Sequence, residues 1–376
     1  MFRFDPKKLK RIVIKIGSSS IVGQDGAVRL GFLGELVALT GERVRNGAGV
    51  VLVTSGAIAM GFTRLGFAKR PADIPSRQAC AAAGQTELMA LYQTLFSANG
   101  QKAAQVLLTR DDIEDRRRYL NAREALSRLL ALGLVPIINE NDTVAVEEIV
   151  FGDNDRLSAL VAGLVDADLL VLLTDVDGLC ARPPANGEKP EVIRAIDGPL
   201  ENLGAVVGRA PQKLGSGGMV SKLEAAKTCR EYGIPCVIAR SSGEALTRVL
   251  DGEEEGTFVA PLGRKILARE RWLLRAAGVQ GTLVVDDGAA AALRAGKSLL
   301  PRGIAEAAGQ FARGAVVEVK DESGAVVARG LARYAASDLR AILGKNTREI
   351  ESILGYTYGS EAIHRDSLVL INGEPS

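Results

Sequence analysis

At 376 residues the chain is too long for one small module and, at about 150 residues per domain, implies at least two globular units. Apolar residues make up 47% and charged residues 24%, which excludes an intrinsically disordered chain and supplies a sizeable core. A net charge of +2, from 47 basic and 45 acidic residues, carries no overall signature of a nucleic-acid or membrane-surface binder, so any basic site must be local.

The basic residues near the N-terminus are not followed by a long apolar stretch, because residues 12–16 are interrupted by Lys15 and end at Gly17. No signal peptide is expected. The most apolar region, 157–173, is broken by Asp166 and Asp168 and falls short of the ~20 residues of a membrane helix. A cytoplasmic protein with no membrane association is expected. Cys80, Cys180, Cys229 and Cys236 show neither C-x-x-C spacing nor the density of a disulfide scaffold, and a single His argues against a Cys/His zinc site. They read as core thiols in a reducing compartment.

From residue 11 to about 260, short apolar runs alternate with helix-like segments. The runs are 12–16, 50–53, 104–108, 135–138, 169–173 and 236–239. Val, Ile and Leu on consecutive positions predict strands buried on both faces of a parallel sheet. Segments 116–132 and 220–232 have the length and spacing of amphipathic crossover helices. The repeated order of strand and helix predicts an α/β fold, a three-layer αβα sandwich. An acidic run at 253–255 and a basic one between Arg264 and Arg275 mark a linker. Beyond it, short β-like pieces at 281–285, 315–320 and 326–331, bounded by glycines and acidic turns, predict a small β-rich second domain, with a helix starting at 289–292. The expected division is 1–260, a linker at 261–275, a second domain at 276–355 and a tail at 356–376.

Two phosphate-binding signatures fail on inspection. Gly296-Lys297-Ser298 ends like a Walker A loop, but Ala291 stands where its first glycine is required and no apolar strand precedes it. Gly215-Ser216-Gly217-Gly218 begins like a dinucleotide fingerprint, yet Val220 occupies the last glycine position. Other strand ends are more informative. Lys15 closes the first strand and runs into Gly17-Ser18-Ser19-Ser20, where backbone N–H groups and an ammonium could converge on a phosphate; an exposed lysine before an ordinary turn would give the same pattern. The second strand ends in Thr54-Ser55-Gly56-Ala57, which suits either an anion at a helix N-terminus or a helix cap.

The fourth strand runs into Asn139-Glu140-Asn141-Asp142, and Gly152-Asp153-Asn154-Asp155-Arg156 follows. Each cluster alone could be an Asx turn or a cap. Together, at the strand ends of a parallel sheet, they fall where ligands bind in open α/β folds. The fifth strand ends in Thr174-Asp175, and a glycine-rich loop then leads to Lys222 on the first turn of a helix. Two lysines in such contexts, with acidic clusters between them, point to a shared phosphoryl-handling site. The lone His364 lies outside these motifs and receives no chemical role.

The set Val13-Ile14-Lys15-Ile16-Gly17-Ser18, Val53-Thr54-Ser55-Gly56-Ala57, Ile138-Asn139-Glu140-Asn141-Asp142, Phe151-Gly152-Asp153-Asn154-Asp155, Leu173-Thr174-Asp175 and Gly217-Gly218-Met219-Val220-Ser221-Lys222 resembles the amino acid kinase family. Within it, the match is to the branch that phosphorylates the side-chain carboxylate of glutamate at the start of proline biosynthesis. Residues 281–289 and 298–304 are similar to the PUA domain, and Gly355-Tyr356-Thr357-Tyr358-Gly359 with His364-Arg365-Asp366 fits the same branch. The resemblance implies transfer of the γ-phosphoryl group of ATP, with Mg2+, to L-glutamate. It implies catalytic roles for Lys15, Lys222 and Asp155, glutamate binding by Ser55, Gly56, Asp142 and Asn154, and nucleotide binding by Lys15, Thr174, Asp175, Ser216, Gly217, Gly218, Met219, Val220, Ser221 and Lys222. Ser216 stands where the family often has Thr, a change that keeps the hydroxyl. The resemblance further implies a homo-oligomer, dimer or tetramer, and feedback inhibition by L-proline. The alternatives are a related kinase with another acidic substrate, or RNA binding through the PUA-like domain. Against RNA, residues 276–376 hold 11 Lys/Arg and 12 Asp/Glu, where an RNA footprint is usually basic.

Overall fold

In the computed structural model, residues 4–23, 26–144, 154–180, 191–197, 218–262 and 278–371 are described, and they fall into two units divided between Lys265 and Ile266. The first is built on eight strands: β1 (Arg11–Lys15), β2 (Gly49–Val53), β3 (Ala103–Leu108), β4 (Val135–Glu140), β5 (Leu169–Thr174), β6 (Ala195–Ile196), β7 (Cys236–Arg240) and β8 (Thr257–Val259). Their order in the sheet is β3-β4-β2-β1-β5-β7-β8-β6, parallel throughout except for the β7–β8 pair. The six runs read from sequence are β1 to β5 and β7. The short β6 and β8 were not anticipated.

Helices α1 (Ser18–Ile21), α2 (Leu30–Arg45), α3 (Ala57–Arg64), α4 (Ile74–Ala98), α5 (Arg110–Glu114), α6 (Arg116–Ala131), α7 (Asn154–Leu164), α8 (Met219–Glu231) and α9 (Gly243–Leu250) complete this unit. Side chains alternate between the two faces of a strand, and the sheet is covered on both sides. Ile12 and Ile14 of β1, Val50 and Leu52 of β2 and Val135 and Ile137 of β4 join Leu33 and Leu36 of α2, Leu88 and Tyr92 of α4 and Leu246 of α9 in one core. The opposite face, carrying Val13 and Lys15, meets α7, against which α8 packs. The three-layer αβα sandwich with a mainly parallel sheet is therefore the architecture of the first unit.

The α3–α4 contact has an unusual cause. A Cβ added at Gly61 would lie 1.8 Å from the Cys80 carbonyl oxygen, and one at Gly84 would lie 1.9 Å from that of Ala57. The two helix backbones touch, which only glycine at both positions permits. This contact holds the start of α3, just after β2, against the middle of α4.

The second unit has a five-stranded sheet in the order β10-β9-β11-β12-β13, from β9 (Gly281–Val285), β10 (Ile304–Gly309), β11 (Val316–Asp321), β12 (Val326–Leu331) and β13 (Leu368–Leu370). With α10 (Asp287–Arg294), α11 (Ala336–Ile342) and α12 (Ile350–Leu354) it encloses its own core around Leu283, Val317, Tyr334 and Leu339. Of the stretch 356–376 set apart from sequence as a tail, Leu368–Leu370 form a strand of this sheet. β13 pairs with β12, and the buried Tyr334 hydroxyl donates to Gly359 O at 2.6 Å. Gly296 has a φ of 77° just past the end of α10, and Lys297 N donates to Ala292 O at 3.0 Å. The Walker-like triplet is thus a helix C-cap. His364 belongs to this unit too; its carbonyl accepts from Ser367 N at 2.7 Å.

Candidate active site

The site forms along the carboxyl ends of β1, β2, β4 and β5, where the order β2-β1-β5 sends the chain to either side of β1, the usual ligand position in an open α/β sheet. Lys15 is the last residue of β1, in register with Val53 and Leu172. Because Ile14 faces the α2–α4 core, Lys15 points to the other face, toward the first turn of α7, where Asp155 sits. Lys222, in the first turn of α8, arrives from the packed neighbouring helix.

Both amines close on one carboxylate. Lys15 Nζ is 2.6 Å from Asp155 Oδ1 and Lys222 Nζ is 3.0 Å from Asp155 Oδ2. Ser221 Oγ lies 2.7 Å from Asp155 Oδ2 and 2.8 Å from Gly218 O, and can donate its proton to either. The three charged side chains are at most 6% exposed. Burial alone would push the Asp155 carboxyl up, but the charges of Lys15 and then Lys222, with hydrogen bonds from Lys15 and Ser221, outweigh it and hold the group below the usual carboxylate range. Asp155 is therefore an anion, and the cluster carries one net positive charge.

Ser55 and Asn154, which the resemblance implies bind substrate, meet next to it. Asn154 Nδ2 is 2.8 Å from Thr54 O, 2.8 Å from Ser55 Oγ and 3.0 Å from Asn139 Oδ1, while its own Oδ1 is buried with no hydrogen-bond partner among the described residues. Ser55 does not cap α3: the N-cap is Gly56, at φ 98° and without a side-chain cap bond. The Thr54 hydroxyl is 2.9 Å from the Tyr92 hydroxyl inside the core, where burial pushes the phenol up to about 12. The capping alternative for Thr54 and Ser55 is thus set aside. A cavity of about 380 Å³ opens along this edge, its wall including Ala57, Gln85, Glu140, Asn141 and Asp142.

On the other flank of β1, Thr174 is buried at the end of β5, its hydroxyl 3.1 Å from Asp175 Oδ1. Gly218 is the N-cap of the 13-residue α8 and makes no side-chain cap hydrogen bond; Met219, Val220, Ser221 and Lys222 form its first turn. Ser216 and Gly217 lie outside the described residues. Among the described residues no group of three or more His, Cys, Asp or Glu is placed to hold a metal ion, and no helix is long and apolar enough to cross a membrane. The four cysteines are free.

The structure brings Lys15, Lys222 and Asp155 into one cluster and joins Asn154 to Ser55. Tyr92 and Gln85 were not anticipated, and Asn139 was noted only as part of a motif. The family model described as the amino acid kinase family matches residues 10–240.

The chain belongs to the amino acid kinase family.

A PUA domain model matches residues 281–354. Proteins named glutamate 5-kinase are similar over nearly the whole of this family member. The one from Carboxydothermus hydrogenoformans is 48% identical over 372 residues, 97% of this chain and 99% of its own. That from Geobacter sp. (strain M21) is 46% identical over 367 residues, 97% and 98% of the two chains. That from Moorella thermoacetica is 46% identical over 364 residues, 96% of each.

Proposed function

We propose that this amino acid kinase transfers the γ-phosphoryl group of ATP to the side-chain carboxylate of L-glutamate, giving glutamyl 5-phosphate and ADP, the first step of proline biosynthesis. The observation that carries the mechanism is the pair of buried ammonium groups held on Asp155, whose chain neighbour Asn154 is linked through Asn139 to Gln85 in the wall of a cavity that also holds Glu140 and Asp142. A glutamate carboxylate, with a reference pKa of ~4.3, is already ionised near pH 7 and needs no general base. One of its oxygens attacks the γ-phosphorus as the bond to the β–γ bridging oxygen breaks, and ADP leaves with that electron pair.

The site then has to align two anions and screen the charge that passes between them. Lys15 and Lys222 stabilise the transferring group, and Asp155, held ionised by both, fixes their positions without moving a proton. The start of α8, whose N-cap Gly218 makes no side-chain cap bond, suits phosphate oxygens, with Thr174 and Asp175 on the same flank; Ser216 and Gly217, just before it in sequence, are proposed to share that role. The chain offers no preformed metal site among its described residues; magnesium would enter on the phosphate oxygens of the nucleotide. On the substrate side, Asp142 in the cavity wall suits the substrate ammonium, and Ser55, Gly56 and Asn154 are proposed to contact the glutamate as well. L-proline carries the same headgroup and is proposed to compete for that half of the pocket as a feedback inhibitor. Assembly as a dimer or tetramer, and a cytoplasmic setting in keeping with four free thiols, complete the proposal.

An ADP-release assay with glutamate, N-acetylglutamate and aspartate side by side tests it. Glutamate should be the preferred acceptor, since acetylation removes the charge that Asp142 would hold and aspartate is one methylene too short to reach. Preference for N-acetylglutamate would refute the reading.

A further inference from the structure

Gln85 belongs to none of the motifs above, yet it ends a chain of side-chain amides that runs into the substrate-side cluster. The chain starts from a fixed backbone donor: Glu140 N donates to Asn139 Oδ1 at 2.9 Å, and Asn154 Nδ2 reaches the same oxygen at 3.0 Å. An amide has one accepting and one donating end, so Asn139 must turn its Nδ2 the other way. There Gln85 Oε1 accepts it at 2.8 Å. The direction of every bond in the chain is thereby fixed, and Asn154 Nδ2 is left facing Ser55 Oγ and Thr54 O.

We propose that Gln85 is a positioning residue of the acidic-substrate site: as the acceptor for Asn139, it locks, from the cavity wall, the amide chain that holds Asn154 and the Ser55 hydroxyl in place. The inference rests on the glutamate-site reading given above. Its geometry is independent of the lysine cluster. Gln85 is delivered by α4, whose backbone is pressed against α3 at Gly61 and Gly84, so the residue ties the long helix to the ends of β2 and β4 and to the start of α7. Without that acceptor, the buried Asn139 Nδ2 loses its Gln85 partner, and a flip of the amide is blocked because it would set a donor against both Glu140 N and Asn154 Nδ2. The Asn139 side chain must instead shift toward another acceptor, which loosens the oxygen that Asn154 is held against.

The test is steady-state kinetics of Gln85→Met, a substitution of similar reach without an acceptor, alone and combined with Asn154→Ala. Gln85→Met should raise the KM for glutamate about tenfold while the KM for ATP and kcat stay within about twofold. Asn154→Ala should also raise the glutamate KM, and adding Gln85→Met to it should change that value less than about twofold, because the group being positioned is gone. Equal shifts in both KM values, no shift, multiplicative effects in the double variant, or a Gln85→Met protein that does not fold would each overturn the inference. If Asn154→Ala itself leaves the glutamate KM unchanged while Gln85→Met raises it, the assignment of the substrate side falls, and with it this account of Gln85.

Discussion

Asp155→Asn replaces the anion that two buried ammonium groups share with a neutral amide of the same shape. Opposite charges about 4 Å apart attract by about 4 kcal/mol at an effective dielectric near 20, and the contacts here are shorter, at 2.6 and 3.0 Å. Removing one partner of a buried pair costs about 3–5 kcal/mol because the remaining charge is stranded. In this site two charges are stranded and face each other, which puts the loss at the upper end. At roughly 2–4 °C per kcal/mol for a domain of this size, the unfolding midpoint of the kinase unit should fall by about 10–20 °C. Calorimetry of the ligand-free protein reads that directly. A saturating concentration of ATP should narrow the gap, since a triphosphate returns negative charge to the two lysines. Acid titration supplies a second reading. A carboxyl whose folded pKa lies below its unfolded value, about 3.9, stabilises the protein above that pH, and the stability is lost as pH falls from there through the folded pKa. The wild-type acid limb should therefore be steeper below about pH 4 than that of Asp155→Asn. A ligand-free midpoint within about 2 °C of wild type, or a gap that ATP does not narrow, would refute the reasoning.

Lys222→Ala should lower kcat by about 10²- to 10³-fold, the usual loss of one charge-stabilising donor, while the protein stays folded because Lys15 still pairs with Asp155; single-turnover phosphoryl transfer measures it. Asp142→Ala should raise the KM for glutamate far more than that for ATP in the ADP-release assay, since the residue lines the cavity and not the α8 flank. Gly84→Ala places a Cβ 1.9 Å from a backbone carbonyl, so α3 and α4 must separate; a loss of at least about 1–3 kcal/mol in denaturant unfolding is expected, with weaker glutamate binding because Ala57 and Gln85 move apart.

The strands of the first unit were legible because a central strand of a parallel sheet has no polar face to disguise it: β5 is buried at all six positions. The strands that escaped notice lack that property. β6, at the sheet's edge, has two residues, and β8 beside it three. β10, with the sequence Ile-Ala-Glu-Ala-Ala-Gly, has one β-branched residue and is a strand because β9 pairs with it. The 25-residue α4 carries so much alanine, glycine and glutamine that its apolar contrast is weak. Its signal was positional instead, since Cys80, Gly84, Leu88, Tyr92 and Phe96 recur at every fourth residue and all five are buried. With Asp73 capping the start and a proline in its first turn, that spacing marks a helix whose buried stripe needs small residues where another backbone crosses it.

The same helix explains which parts of the site the sequence conveyed. Lys15, Asp155 and Lys222 announce themselves because a charged side chain at the end of an apolar strand or in the first turn of a helix needs a reason to be there. Gln85 and Tyr92 give no such notice: a glutamine and a tyrosine on an amphipathic helix are ordinary. They acquire their roles only through the close approach of α3 and α4, which brings Tyr92 to 2.9 Å from Thr54 Oγ1 and Gln85 to 2.8 Å from Asn139 Nδ2. The half of the site proposed to handle the phosphoryl group is thus written in residue types at strand ends. The acceptor half depends on two glycines 23 positions apart, whose importance appears only when the helices they join are in contact. Exchange of acidic substrates between relatives of this fold should accordingly follow changes along α4 and the loop after β4 more closely than changes in the lysines, which meet the same phosphoryl group whatever accepts it.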